Sequence, residues 1–421
     1  MDFGWRCNVI VVSRMNAQQS HAHHYVPQWY QKRFLTPGQT KFFYLDMQPE
    51  TVVRDGVSHA RRAVLRWGPA RCFYKDDLYT LRFGSQTTDR MERLFFGTID
   101  SRGREAVGQF AEFQGISEGA ADAFGDLAPY MGAQRFRTPR GLDYIKKIAR
   151  SGDHNATLVA LQGVFQSYTT MWTEGVWEIA RARRSPTKFI VTDEPIVFFN
   201  RRAFPSEMTH PYDAGLEQVG TRTLFPLGLD SCLIITHVQL VRDPWLKPLV
   251  PRVNARFYDQ VLKHIGDIQF GRELEEDEVL RINYILKRRA TRYLAAAEEE
   301  WLYSERHAST KEWGKLDDDW FLFPNLWKVP FTSGIMAGRM DGSAWAADEH
   351  GRHPGDPRYK DKSLHDKEWA MHDMAKRAWA KRRIHKSVAQ VDKGERGDVV
   401  DRMMQEYLQK EGLLPKSGEQ K

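Results

Sequence analysis

With 421 residues, 41% of them hydrophobic and 12% aromatic, the chain can bury a sizeable core and is too aromatic for wholesale disorder. Three scattered cysteines, Cys7, Cys72 and Cys232, exclude a disulfide framework and a CxxC zinc ribbon and suit a reducing compartment. A net charge of +7 leaves polyanion binding open without requiring it.

Residues 1–20 read as a poorly ordered leader. The apolar run there, Val9 to Val12, is too short for a signal peptide. No window approaches the roughly 20 apolar residues of a membrane span, so the expectation is a cytoplasmic protein with no membrane partner. "SHAHHYVPQWYQKRFL" follows, with Pro27 suited to the first turn of a short helix ending near Leu35. "KFFYLDMQPETVVRDGVS" alternates around turn residues and predicts a β-hairpin, and "RCFYKDDLYTLRF" predicts a strand pair around Asp76–Asp77.

Helices come next. Thr88 or Asp89 is the expected N-cap of the first, with Met91, Leu94, Phe95 and Ile99 on one face. Phe124, Leu127 and Met131 mark the second; Thr138 before Pro139 opens the third; a fourth spans Leu158 to Trp172. Strand patterns then return in "GVWEIARARR", "TKFIVTDEPIVFF", "TRTLFPL" and "SCLIITHVQLV". A last long helix is expected from Asp277 to Trp301. Helices grouped between strand-rich blocks predict α+β, with antiparallel strands and a C-terminal helical extension.

The expected division is a domain over residues 21–330 and, over 331–421, a Gly-rich linker and basic helical tail. From Lys360 to Lys386 nine Lys/Arg face four Asp/Glu. Trp369 and Trp379, ten residues apart, lie close to 280° around that helix, a poor seam for a tightly packed core helix. "KRRIHK" at Lys381–Lys386 is then free to meet nucleic acid; the plainer alternative is a solvated helix whose tryptophans dock on the parent domain.

Four separated pieces, "HHYVPQWYQKRF", "QRFRTP" at Gln134–Pro139, "FIVTDEPIVFF" at Phe189–Phe199, and "FPLGLDSCLIITH" with the later "INYILKRRATRYLAAAEEEW", together resemble a bacterial domain-of-unknown-function family, the one numbered 4238. The resemblance covers roughly residues 21–305. It implies a soluble bacterial protein and carries no established activity. Glu194 stands where members often have a small or amide residue, so it bears no weight as a family site.

The same pieces hold the residues able to do chemistry. His23 and His24 precede a helix start, where a histidine tends to stay neutral and able to accept a proton or a metal. Otherwise they cap the helix or bond a carbonyl. Asp193 ends a strand, where it can bind a cation or orient a histidine, or simply stabilise an Asx-type turn before Pro195. Arg137 ends a helix and can hold a phosphate, or the helix's own carbonyls. Gln28, Gln134 and Asn283 are the accompanying substrate-binding candidates, Asn283 through a possible bond to the His-His segment. His24 and Asp193 are the candidate ligands of a divalent metal.

Histidine, carboxylate and arginine suit phosphodiester chemistry. The leading expectation is a nuclease-like hydrolase in a defence or toxin setting, with Asp193 and the His23–His24 pair lining one cavity. The alternative is a non-enzymatic module binding nucleic acid or protein. No P-loop, GxGxxG, HExxH or GxSxG is present.

Overall fold

A computed structural model describes residues 20–54, 57–150, 152–205, 214–252, 267–331, 335–338, 342–348 and 350–388. It begins with β1 (Ala22–His24), α1 (Gln28–Gln31) and β2 (Phe42–Asp46). Four short strands follow: β3 (Thr51–Arg54), β4 (Val57–Ala60), β5 (Val64–Trp67) and β6 (Tyr74–Asp76). After β7 (Leu81–Phe83) and β8 (Gln86–Thr88), a π-helical turn over Met91–Phe96 runs into α2 (Gly97–Ala111). Three helices complete the first half: α3 (Ala120–Arg137), α4 (Pro139–Ile148) and α5 (His154–Thr173).

The strands of the second half are β9 (Gly175–Arg181), β10 (Val191–Thr192), β11 (Val197–Phe199), β12 (Arg222–Gly228) and β13 (Ser231–His237). Next come α6 (Val238–Arg242), β14 (Gln269–Glu273), α7 (Glu276–Arg289) and β15 (Tyr293–Ala296). The tail holds β16 (Ile335–Gly338), β17 (Ala344–Ala347) and α8 (Lys362–Val388).

The fold is α+β. One sheet has the order β11-β12-β13-β9-β14, antiparallel except for the β9–β14 pair. Its strands β9, β12 and β13 are buried at every position, the charged Glu178, Arg181 and Arg222 included. The helices α2 and α5 lean on this sheet, and α3 packs between them. The second sheet, β10-β15-β2-β5, is wholly antiparallel. No helix of the described residues is long and apolar enough to cross a membrane.

Several local expectations are corrected. The hairpin expected over Lys41–Ser58 does not form. β2 buries Phe42, Tyr44 and Leu45 and needs partners on both edges, which β15 and β5 supply, while β3 pairs with β4 in an outlying ribbon. The pair expected around Asp76–Asp77 is likewise two separate pairings, β6 with β1 and β7 with β8.

Pro27 stands one position outside its helix, as the N-cap. Leu94 is 55% exposed, because the wide π turn takes it off the face that Met91 begins. The π turn itself has Arg90 as N-cap with no side-chain cap; just ahead of it the expected Thr88 accepts the Arg90 N–H at 3.4 Å, while Asp89 accepts the Ser20 N–H and pairs with Arg93. Thr138 does cap α4, accepting the Gly141 N–H at 3.0 Å. The helix expected to reach Trp301 stops at Arg289, for a reason that lies in Asp193.

In the tail, β16 and β17 pair antiparallel inside the expected linker. Trp379 is buried against α6, whereas Trp369 is 57% exposed. The leader to residue 19 and the end of the tail after residue 388 lie outside the described residues.

Candidate functional site

Each motif side chain has a definite place. His23 is fully buried and stacks on Tyr79, ring centroids 5.4 Å apart. Its Nδ1 accepts the Tyr79 N–H at 2.9 Å, which leaves the proton on Nε2, where it is donated to the Ser20 carbonyl at 2.9 Å. Burial lowers its pKa. A ring with both nitrogens engaged is a neutral structural histidine.

His24 is half-buried, and burial lowers its pKa too; the Arg137 charge adds to that, against the pull of the Ala70 and Pro69 carbonyls. Its Nε2 is buried without a hydrogen-bond partner. What holds the residue is its backbone: the His24 carbonyl accepts from Arg137 at 3.0 Å. The adjoining Tyr25 carbonyl accepts from Gln134 at 2.8 Å. Gln134 and Arg137, one turn apart on α3, thus clamp two successive carbonyls that β1 leaves unpaired. Gln28, half-buried on α1, makes no side-chain hydrogen bond among the described residues, whereas Gln31 donates to the Val26 and Cys72 carbonyls.

Asp193 is 4% exposed, and its carboxylate accepts three backbone N–H groups. They are Thr291 at 2.9 Å, Arg292 at 2.7 Å and Tyr293 at 2.9 Å. This closes the turn by which the chain leaves α7 and enters β15, with Ala290 as the extended C-cap. Burial raises the Asp193 pKa and the three N–H groups oppose the rise. Asn283 holds the segment that leads into β10: it donates to the Lys188 carbonyl at 2.8 Å and accepts the Ile190 N–H at 3.3 Å. Its partners are therefore just ahead of β10 and "TDEP", and not in the His-His segment.

The structure brings His24, Gln134 and Arg137 together, and separately Asp193 with the end of α7. Among the described residues no hydrogen bond or ion pair joins Asp193 to either histidine. Tyr25 stands between the two groups, its phenol raised by burial and by the charges of Asp193 and Glu194. No group of three or more His, Cys, Asp or Glu among the described residues could hold a metal ion. With both Asp193 oxygens committed to N–H groups, His24 and Asp193 do not fit a divalent cation.

Two carboxyls escaped the sequence reading. Arg137, 1% exposed, pairs with Asp100 at 2.6 Å and lies 4.7 Å from the Phe96 ring centre. Beside it Glu92, on the π-helical turn, has a buried Oε2 without a hydrogen-bond partner. Burial pushes the Glu92 carboxyl up to about 7, Asp100 and Asp89 add to the rise and Arg137 opposes it. Glu194, also buried, pairs with Arg135 at 3.0 Å, and burial lifts it to about 7. The spacing Glu92-x3-Phe96-x3-Asp100 was the available signal, since it sets both acids along one helical stretch.

The fold and site together define an α+β protein whose motif side chains mostly bind its own backbone, with one ionisable cluster of Glu92, Asp100 and Arg137 beside His24. Comparison with family models, with curated proteins and with solved structures finds no match to this chain.

Proposed function

We propose that this chain is a nucleic-acid-binding module, with the shared motifs serving as fasteners of the fold and α8 as the binding element. The supporting observation is the outer face of α8. The helix seats Ala375 and Trp379 inward and leaves Lys362, Lys367, Trp369, Met374, Arg377, Lys381 and Arg382 exposed, with Asp366 the one acid among them. Arg377 pairs with Asp373 and Arg382 with Asp319, whereas Lys362, Lys367 and Lys381 have no ion pair among the described residues. Exposed lysines without an ion pair, along a helix that also exposes an indole, suit phosphate contacts together with base stacking. The reading is tested by fluorescence anisotropy with labelled single- and double-stranded DNA and RNA. Lys362→Gln/Lys367→Gln/Lys381→Gln is expected to weaken binding at least tenfold without changing thermal stability; unchanged affinity overturns it.

Membership of family 4238 is proposed on the sequence motifs alone; in the structure those motifs hold one another. His24 and Tyr25 are gripped by Gln134 and Arg137, and the "TDEP" turn by the segment after "INYILKRR".

One observation favours a second reading, the phosphodiester hydrolase. A carboxyl near 7 is suited to general acid–base work at neutral pH, and Glu92 is such a group. If this reading holds, Glu92→Gln abolishes cleavage of DNA or RNA by the folded protein; wild-type chain without cleavage across divalent metals and pH 5–9 removes it.

A further inference from the structure

The helix α8 is held to the body by contacts that include two buried histidines, His350 and His372, and neither has an acceptor for a second ring proton. His372 is 2% exposed; its Nε2 donates to the Val329 carbonyl at 3.1 Å, and its Nδ1 is buried without a partner. The His350 side chain is 8% exposed and neither ring nitrogen makes a hydrogen bond. The nearest carboxylate to it, Glu368 at 3.9 Å, is already engaged on both oxygens by Arg352, at 2.8 and 2.7 Å.

The charged groups around the pair come from every element packed there. From α6, Arg242 opposes a positive charge on both rings. The segment after β17 brings Arg352 and Asp348, which are paired to each other, and α8 itself brings Glu368, Asp373 and Lys376. Val329 and the rest of the 326–331 segment offer only a carbonyl and apolar surface at this point.

We propose that the tail is a pH-operated latch: proton uptake by His350 and His372 releases α8 from the body. The apolar contacts under α8, among them Leu240, Val241, Leu326, Val329, Ala375 and Trp379, form a cluster separate from the main core, so release does not require the core to open. Burial lowers both histidines from the ordinary 6.5 to about 4. The sign follows directly. A group with a depressed docked pKa stabilises docking above 6.5 and loses that contribution as the pH falls toward 4. Lowering the pH from 7.5 to 5.5 then weakens docking roughly tenfold per histidine and roughly 100-fold for both. The latch is independent of what α8 binds.

Hydrogen exchange of the full chain, corrected for the intrinsic pH dependence of exchange, tests this. Protection of α8 peptides is expected to fall roughly 100-fold between pH 7.5 and 5.5 while β12–β13 peptides hold theirs. His350→Gln/His372→Gln should abolish the pH dependence, and each single variant should halve it on a logarithmic scale. If a variant does not dock at pH 7.5, the wild-type series decides by itself. Unchanged α8 protection in the wild type, or an equal fall in a docked double variant, overturns the proposal.

Discussion

Replacing Asp193 is the sharpest probe of the fastener account. Its carboxylate satisfies the N–H groups of Thr291, Arg292 and Tyr293, which no strand or helix partner claims at the α7–β15 turn. Loss of a hydrogen bond to a buried donor costs roughly 1–3 kcal/mol. Arg292 and Tyr293 are only half-buried and Thr291 is exposed, so water recovers part of it and the low end of that range applies. Three donors then put Asp193→Ala at about 3 kcal/mol, a large share of the roughly 5–15 kcal/mol by which domains are stable. Asp193→Asn keeps one acceptor oxygen for Arg292 and Tyr293 but turns an amide N–H toward Thr291, for a loss of about 1–2 kcal/mol. Urea unfolding followed by tryptophan fluorescence checks the ordering: midpoints should fall from wild type to Asn to Ala at constant m value. A folded Asp193→Ala within about 0.5 kcal/mol of wild type, the scatter of ordinary surface substitutions, would refute the reasoning and reopen a functional role for the carboxylate.

Glu92 has a folded pKa of about 7, above its ordinary 4.5, so its contribution is present at acid pH and lost as the pH rises. Stability should decline with a slope of up to about 1.4 kcal/mol per pH unit between those values; Glu92→Gln should flatten that slope in urea titrations at pH 4.5 to 8. Gly141→Ala should destabilise the chain strongly, since an added Cβ would sit 2.6 Å from Phe136 Cα and from the Arg135 and Phe136 carbonyl oxygens. Thermal unfolding measures this, and a Tm equal to wild type would show that the α3–α4 corner can give way. Arg137→Met leaves the half-buried Asp100 carboxylate without its partner and should cost about 3 kcal/mol, the low end for a broken buried pair, whereas Arg137→Met with Asp100→Leu should recover part of the loss in the same assay.

Much of the architecture was open to inference because its signals are local. Thr138 before Pro139 announces a capped helix, and the apolar runs of β9, β12 and β13 announce buried strands. Errors fell where a distant residue overrides local pattern. The periodicity of Tyr293 and Ala297 is helical, yet Asp193, about a hundred positions earlier, captures the backbone that a continuing helix would need. The alternation in "KFFYLDMQPETVVRDGVS" invites a local hairpin, but β2 finds β15 nearly 250 residues away.

At the candidate site the same limit applied. Residue type marked His23, Gln134, Arg137, Asp193 and Asn283 as candidates for catalysis or substrate binding, each with a structural alternative. It could not show whether their partners would be a substrate or the chain's own carbonyls and N–H groups. Glu92 is not among the candidates the residue types suggest; the fold sets Arg137 and Asp100 beside it.

If α8 is the binding element, as proposed, the salt dependence of nucleic-acid affinity reveals it. Three lysine–phosphate contacts predict a slope of about −2.7 in log K against log salt, a loss of roughly 40-fold between 50 and 200 mM. The Lys362, Lys367 and Lys381 triple Gln variant should bind more weakly with a slope near zero. Identical affinities and slopes for the two proteins, or no binding by the wild-type chain at 50 mM salt, would contradict it.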